Sequence, residues 1–179
     1  MKYLALLRGI NVGGNNLISM GELRACFENA GLEKVTTYIQ SGNVLFESSA
    51  RNAVRLAQKI ESALSAQFGY DALIVLVSED TLAAVVENAP DDFGTDPGTY
   101  RYDVIFLRLP VRGPDLLPTI KLKEGVDEIF ANEHVIYCRR PISQASQSKL
   151  SKLASHPGYK SMTIRNWNTT SKLHQLMKQ

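Results

Sequence analysis

Apolar positions along this chain switch between strand spacing and helix spacing, and the switching runs through the same order twice. Tyr3–Leu7 is a short apolar run, the pattern of a buried strand. Ser19-Met20-Gly21-Glu22 has the form of a capping box; Leu23, Phe27 and Ala30 follow at helical spacing, and Gly31 ends the run. Val35–Gln40 and Val44–Phe46 read as strands joined through Ser41-Gly42-Asn43, in which Gly42 and Asn43 supply positive φ. Val54, Ala57, Ile60, Leu64 and Phe68 form a second helical stripe closed by Gly69, and Ala72–Val77 is a continuous apolar strand. Within the first 78 residues the order is β-α-β-β-α-β, the split βαβ arrangement of ferredoxin-like domains.

The second pass is less regular. Leu82, Val85 and Val86 suggest a connecting helix that stops before Pro90, and the acidic, turn-rich Pro90–Gly98 reads as a linker. Arg101–Leu109 is a strand, and Gly113–Ile120 a short helix whose regularity Pro118 limits. Val126–Phe130 and His134–Arg139 form a hairpin around Asn132-Glu133. Ser146–Ser155 is helical with Leu150 and Leu153 inward, and Met162–Ile164 is a last strand. Asn168 then caps a helix carrying Leu173, Leu176 and Met177. The expected fold is α+β: tandem ferredoxin-like (βαββαβ) halves with antiparallel sheets, residues 1–78 and 79–179, plus an extra C-terminal helix. A connecting helix and linker fall at about 79–99.

This topology sets which loops meet. The first two strands of a split βαβ unit are parallel and the third returns between them, so the β1–α1 loop and the β2–β3 hairpin share one end of the sheet. Gly9–Ile18 and Gln40–Asn43 should be neighbours, on a rim rich in neutral donors and poor in titrating groups.

Composition narrows the class. Of 179 residues, 44% are hydrophobic and 21% charged, as in ordinary globular proteins. No apolar run approaches the ~20 residues of a membrane helix. Met1-Lys2 leads directly into a strand-like segment without a signal pattern, and Cys26 and Cys138 are unclustered. A cytoplasmic, reduced setting is expected.

The net charge of +2 conceals a segregation. No Asp or Glu follows Glu133, whereas Arg139, Arg140, Lys149, Lys152, Lys160, Arg165, Lys172 and Lys178 do. Two readings stand: the basic end complements acidic segments such as Glu79-Asp80 and Asp91-Asp92, or it meets an external polyanion.

Three stretches carry candidate chemistry. Arg8–Asn16 places three glycines and three asparagines between a strand and a helix start, where backbone N–H groups converge and an anion is readily held. It lacks both the Gly-x-x-x-x-Gly-Lys-Ser/Thr order of a P-loop and the dinucleotide fingerprint. The bland alternative is a tight connection whose asparagines cap their own backbone. Gln40–Asn43 is either a hairpin turn or the second wall of the same pocket. In Arg165-Asn166-Trp167-Asn168, the one tryptophan either anchors the last helix or stacks on a base while Arg165 meets a phosphate. The aromatics Tyr100, Tyr102, Phe106 and Tyr137 are either core or an RNA platform.

Arg8–Asn16, the run Val35–Val44 and Thr163–Thr169 closely resemble a bacterial family known only as the domain of unknown function 1697 family. The resemblance spans essentially the whole chain, although residues 90–125 carry no motif that matches. It implies an α/β protein of two ferredoxin-like halves and supplies no activity, substrate or catalytic residue.

The ligand-binding set expected from the sequence is Arg8, Gly9, Asn11, Gly13, Gly14, Asn15, Asn16, Gln40, Ser41 and Asn43, with Arg165, Asn166 and Trp167 as a second contact. The expected function is a cytosolic binding protein for a phosphate-bearing small molecule or nucleic acid. An enzyme acting on a nucleotide or phosphorylated metabolite and a protein-interaction or assembly module are the alternatives. No membrane partner is expected, and self-association stays open. Catalytic sets are thin: His134, His156 and His174 are far apart, with His174 on a helix face that looks exposed. Cys26 sits among Leu23 and Phe27 as a small hydrophobe, and Asp91, Asp92 and Asp96 lie in a solvated linker. No metal and no cofactor are expected.

Overall fold

Alternation of short apolar runs with capped amphipathic segments gives two four-stranded antiparallel sheets in the computed structural model, which describes residues 1–11 and 16–179. The chain divides into two compact units, Met1–Leu82 with Met177–Gln179, and Ala83–Leu176.

In the first unit the elements are β1 (Lys2–Leu7), α1 (Met20–Asn29), β2 (Glu33–Tyr38), β3 (Asn43–Glu47), α2 (Ala53–Phe68) and β4 (Ile74–Ser78), with sheet order β2-β3-β1-β4. That is the ferredoxin-like order. The capping box forms: the Glu22 N–H donates to Ser19 Oγ at 3.2 Å, and the Ser19 N–H donates to Glu22 Oε2 at 3.3 Å. Two of the four orphan donors of a helix start are thereby satisfied. Leu23, Cys26 and Phe27 face inward to meet Val44, Phe46, Ile60 and Leu64 in one core. In α2 the buried face is Leu56, Ala57, Ile60, Glu61 and Leu64, whereas Val54, expected inward, is exposed. Glu61 is tolerated there because its Oε1 accepts the Ile74 N–H at 3.0 Å.

The β2–β3 turn differs from expectation in detail. Positive φ falls on Ile39 (49°) and Gly42 (72°); Asn43 is already the first residue of β3 and is fully buried. Glycine is required at 42, because a Cβ there would lie 2.8 Å from Leu7 Cβ and 2.9 Å from Ile10 Cδ1. The close approach lets the Leu7 N–H donate to the Gly42 carbonyl at 2.8 Å, tying the end of β1 to the hairpin.

Helix α3 (Glu79–Glu87) spans the division between the units. The second unit holds β5 (Tyr100–Leu107), α4 (Gly113–Leu116), β6 (Glu128–Ala131), β7 (Val135–Pro141), β8 (Met162–Asn166) and most of α5 (Trp167–Met177), with order β6-β7-β5-β8. Its core joins Ile105, Leu107, Ile136, Cys138, Leu150, Leu153 and Met162.

Three expectations are refined or corrected here. Pro90–Gly98 keeps Asp91, Asp92 and Asp96 exposed, but Phe93 anchors it: Phe93 is buried and meets the rings of Tyr102, Tyr137 and Trp167 at centroid distances of 5.0, 5.4 and 5.1 Å. The helix expected at Ser146–Ser155 is replaced by a string of 3₁₀ turns, Ile142–Gln147, Lys149–Ser155 and Pro157–Ser161. Ser148 breaks it, because its hydroxyl accepts the Leu150 N–H and donates to Asp127 Oδ1, holding Ser148 extended; Pro157 brings no N–H of its own. Finally, α5 is capped by Asn166 rather than Asn168, since Asn166 Oδ1 accepts the Thr169 N–H at 2.7 Å.

Candidate functional site

Both polar corners of the first unit meet at one end of its sheet. Asn11 Nδ2 donates to the Gln40 carbonyl at 3.0 Å and to the Ile18 carbonyl at 3.1 Å, while Asn11 Oδ1 accepts the Ile18 N–H at 2.9 Å. Asn11 (φ 53°) and Asn16 (φ 46°) take left-handed conformations, the Asn11 N–H donates to the Asn16 carbonyl, and Asn16 Nδ2 donates to the Gly9 carbonyl at 2.8 Å. Asn43 Nδ2 donates to the Tyr38 carbonyl and to Ser41 Oγ. The amides of Asn11, Asn16 and Asn43 therefore shape the rim by bonding their own chain. Arg8 is half-buried, Gly9 has φ 67°, and Gln40 and Ser41 are exposed at the same rim. Gly13, Gly14 and Asn15 lie outside the described residues.

Arg165 and Trp167 separate in role. Arg165 is 9% exposed, and its Nη1 donates to Thr163 Oγ1 at 3.1 Å and to the Ile164 carbonyl at 2.8 Å. Burial pushes its guanidinium down to about 10. Trp167 is half-buried, its ring edge-on to Phe93 at 89° and set against Gly94, where an added Cβ would overlap the indole. Beside it opens a cavity of about 350 Å³ lined by Tyr100, Arg101, Tyr102, Asn166, Trp167 and Asn168. Thus Asn166 and Trp167 line a cavity, and the arginine that accompanies them there is Arg101. Arg101 is mostly exposed and 3.9 Å from Asp103, whose Oδ2 already accepts from Arg140 at 3.0 Å.

Sequence reasoning missed Arg101; it raised Tyr100 only as a possible platform aromatic and Asn168 only as a helix cap. What brings them together is register: Asp103 pairs with Asn166 across β5 and β8, so residue 101 extends toward the start of α5. The one available signal was the polar Arg101 between two tyrosines, which is uninformative without the pairing. Among the other aromatics Tyr102, Phe106 and Tyr137 are buried, which leaves Tyr100 half-exposed and makes no platform. Burial pushes the Tyr137 hydroxyl up to about 12, and that hydroxyl donates to the Val85 carbonyl at 2.7 Å.

Part of the basic tail is paired internally. Arg139 pairs with Glu128 and Arg140 with Asp103, so internal complementarity uses neither Glu79-Asp80 nor Asp91-Asp92 for these two arginines. Groups suited to nucleophilic or metal chemistry are sparse. Cys26 and Cys138 are free and buried, and desolvation pushes both thiols up. His174, expected exposed, is buried. Among the described residues no group of three or more His, Cys, Asp or Glu side chains could hold a metal ion, and no helix is long and apolar enough to cross a membrane.

A family model described as "Protein of unknown function (DUF1697)" matches residues 1–137. Among solved structures, a conserved bacterial protein, SP0830 from Streptococcus pneumoniae, is similar at 30% identity with a TM-score of 0.85, covering 99% of this chain and 98% of that one. No curated protein matches.

Proposed function

The chain belongs to the DUF1697 family of proteins of unknown function, and we propose that it is a cytoplasmic binding protein for a small phosphate-bearing ligand with a planar ring, of which a nucleotide is the simplest case. One observation supports this reading above the others. A single cavity is bordered by two rings with exposed surface, Tyr100 and Trp167, two exposed side-chain amides, Asn166 and Asn168, and the exposed guanidinium of Arg101. An indole held rigid by Phe93 and Gly94 loses little freedom when a flat ring stacks on it. The amides suit the polar edge of that ring and Arg101 its anionic group.

Stacking contributes about 1–3 kcal/mol, and a charge-assisted hydrogen bond about 1.5–3 kcal/mol. Together, about 2.5–6 kcal/mol corresponds to a dissociation constant of about 0.04–15 mM before further contacts are counted. The test uses the chain's single tryptophan as its own reporter: Trp167 emission is titrated with AMP, ATP and ribose 5-phosphate. Saturable quenching by the nucleotides, with Arg101→Ala weakening it about tenfold, supports the reading. Absence of saturation by any nucleotide at millimolar concentration overturns it.

A further inference from the structure

On another part of the second unit, the 3₁₀ string after β7 and the turn after α4 enclose a cavity of about 610 Å³. This is within the usual range of small-molecule sites, about 300–1,000 Å³. Its lining has a definite chemistry. Ile120, Leu153 and Pro157 supply apolar surface, and three exposed lysines, Lys121, Lys149 and Lys152, border it; no carboxylate lines it. The three lysines come from two separate segments of the chain, so the fold, not local sequence, gathers them.

The remaining polar lining is occupied internally. His156 Nδ1 accepts the Gly158 N–H at 3.0 Å, which assigns the ring proton to Nε2, the atom 3.0 Å from Thr119 Oγ1. Thr119 in turn donates to the Leu116 carbonyl at 2.6 Å. Ser155 donates to the Lys152 carbonyl at 2.7 Å. The nearby acid, Asp127, is buried and accepts from Ser148 Oγ and from the backbone N–H groups of Lys123 and Lys149. Among the described residues none of the three lysines forms an ion pair. Arg139 and Arg140 of the tail meet acids of their own unit, whereas these lysines border an apolar cavity.

We infer that the cavity walled by Lys121, Lys149 and Lys152 is a binding site for a phosphate monoester carried on an apolar body. The ammonium groups act as point charges on the phosphate, a role in which lysine serves without bidentate geometry. Ile120, Leu153 and Pro157 receive the apolar part. With its histidine held in a hydrogen-bonded chain, the site binds and positions rather than transferring protons. It is separate from the cavity beside Trp167, and neither proposal depends on the other.

Isothermal titration of the full chain with phenyl phosphate, inorganic phosphate and phenol tests this. Phenyl phosphate should bind more tightly than either half of itself, and added salt should weaken it. Lys149→Met with Lys152→Met keeps the stems and removes two charges; it should weaken phenyl phosphate about tenfold or more and leave the thermal midpoint and the Trp167 response to nucleotides unchanged. A second variant, Leu153→Asp, is expected to abolish binding; should it unfold, Pro157→Asp at the exposed edge replaces it. Equal affinity for phenyl and inorganic phosphate, indifference to the two lysine changes, or lysine-dependent binding of a single-stranded oligonucleotide without binding of phenyl phosphate would overturn the proposal.

Discussion

The side-chain amide of Asn11 donates to the backbone carbonyl of Gln40 at 3.0 Å, joining the loop after β1 to the turn between β2 and β3. The same side chain holds both backbone groups of Ile18, so one residue fixes three points of the rim. Asn11 also occupies left-handed space at φ 53°, which asparagine tolerates far better than alanine.

Asn11→Ala should therefore cost about 3–4 kcal/mol, from three hydrogen bonds at about 1 kcal/mol each and a left-handed backbone penalty of about 1 kcal/mol. Asn11→Gly keeps the backbone and should cost about 1 kcal/mol less. Urea unfolding followed by circular dichroism measures both, and equal losses would remove the backbone part of the account.

Gly94 sits at φ 87° directly against the indole of Trp167. Gly94→Ala should destabilise by about 2–4 kcal/mol, from the backbone penalty and the forced displacement of the ring. Trp167 emission should shift to the red as the ring leaves Phe93. An unchanged spectrum would mean that the indole is not seated there.

The Ser19 hydroxyl and N–H hold the Glu22 carboxylate below its ordinary value of 4.5. A lowered folded value makes the contribution fully present above that ordinary value and lost as pH falls through the folded one. Wild type and Glu22→Gln should differ in thermal midpoint at neutral pH and converge in acid below the usual carboxylate range. Ser19→Ala should move the Glu22 titration, followed by NMR, back up.

Burial raises the thiols of Cys26 and Cys138 and removes them from solvent. Neither should react with Ellman's reagent in the folded protein, and both should react in denaturant. Rapid native modification of Cys138 would contradict its place in the core of the second unit.

Elements governed by local chemistry were legible in the sequence. Ser19 with Glu22, Gly31 and Gly69 mark helix ends through side-chain bonding and left-handed backbone, which are properties of a few neighbouring residues. The meeting of the β1–α1 loop with the β2–β3 turn followed from topology alone, and Asn11 with Gln40 bears it out. Legibility failed where distant partners decide. Ser148 breaks a helical pattern because Asp127, 21 residues earlier, draws its hydroxyl away. Phe93 reads as a stray apolar residue in an acidic loop until Tyr102, Tyr137 and Trp167 surround it. Arg101 gains meaning only through the β5–β8 register, and Lys121 joins Lys149 and Lys152 only through the fold.

The 3₁₀ string from Ile142 to Ser161 has a kinetic consequence. Short turns such as Ser148 N–H to the Ala145 carbonyl and His156 N–H to the Leu153 carbonyl lack the mutual support of a ladder like that joining β5 to β7. Their amide protons should exchange with deuterium well before those of the strands, because opening one turn disturbs few others. A molecule settling against this segment would protect the quickest-exchanging protons of the unit, so occupancy would be written into exchange rates even where no atom moves far.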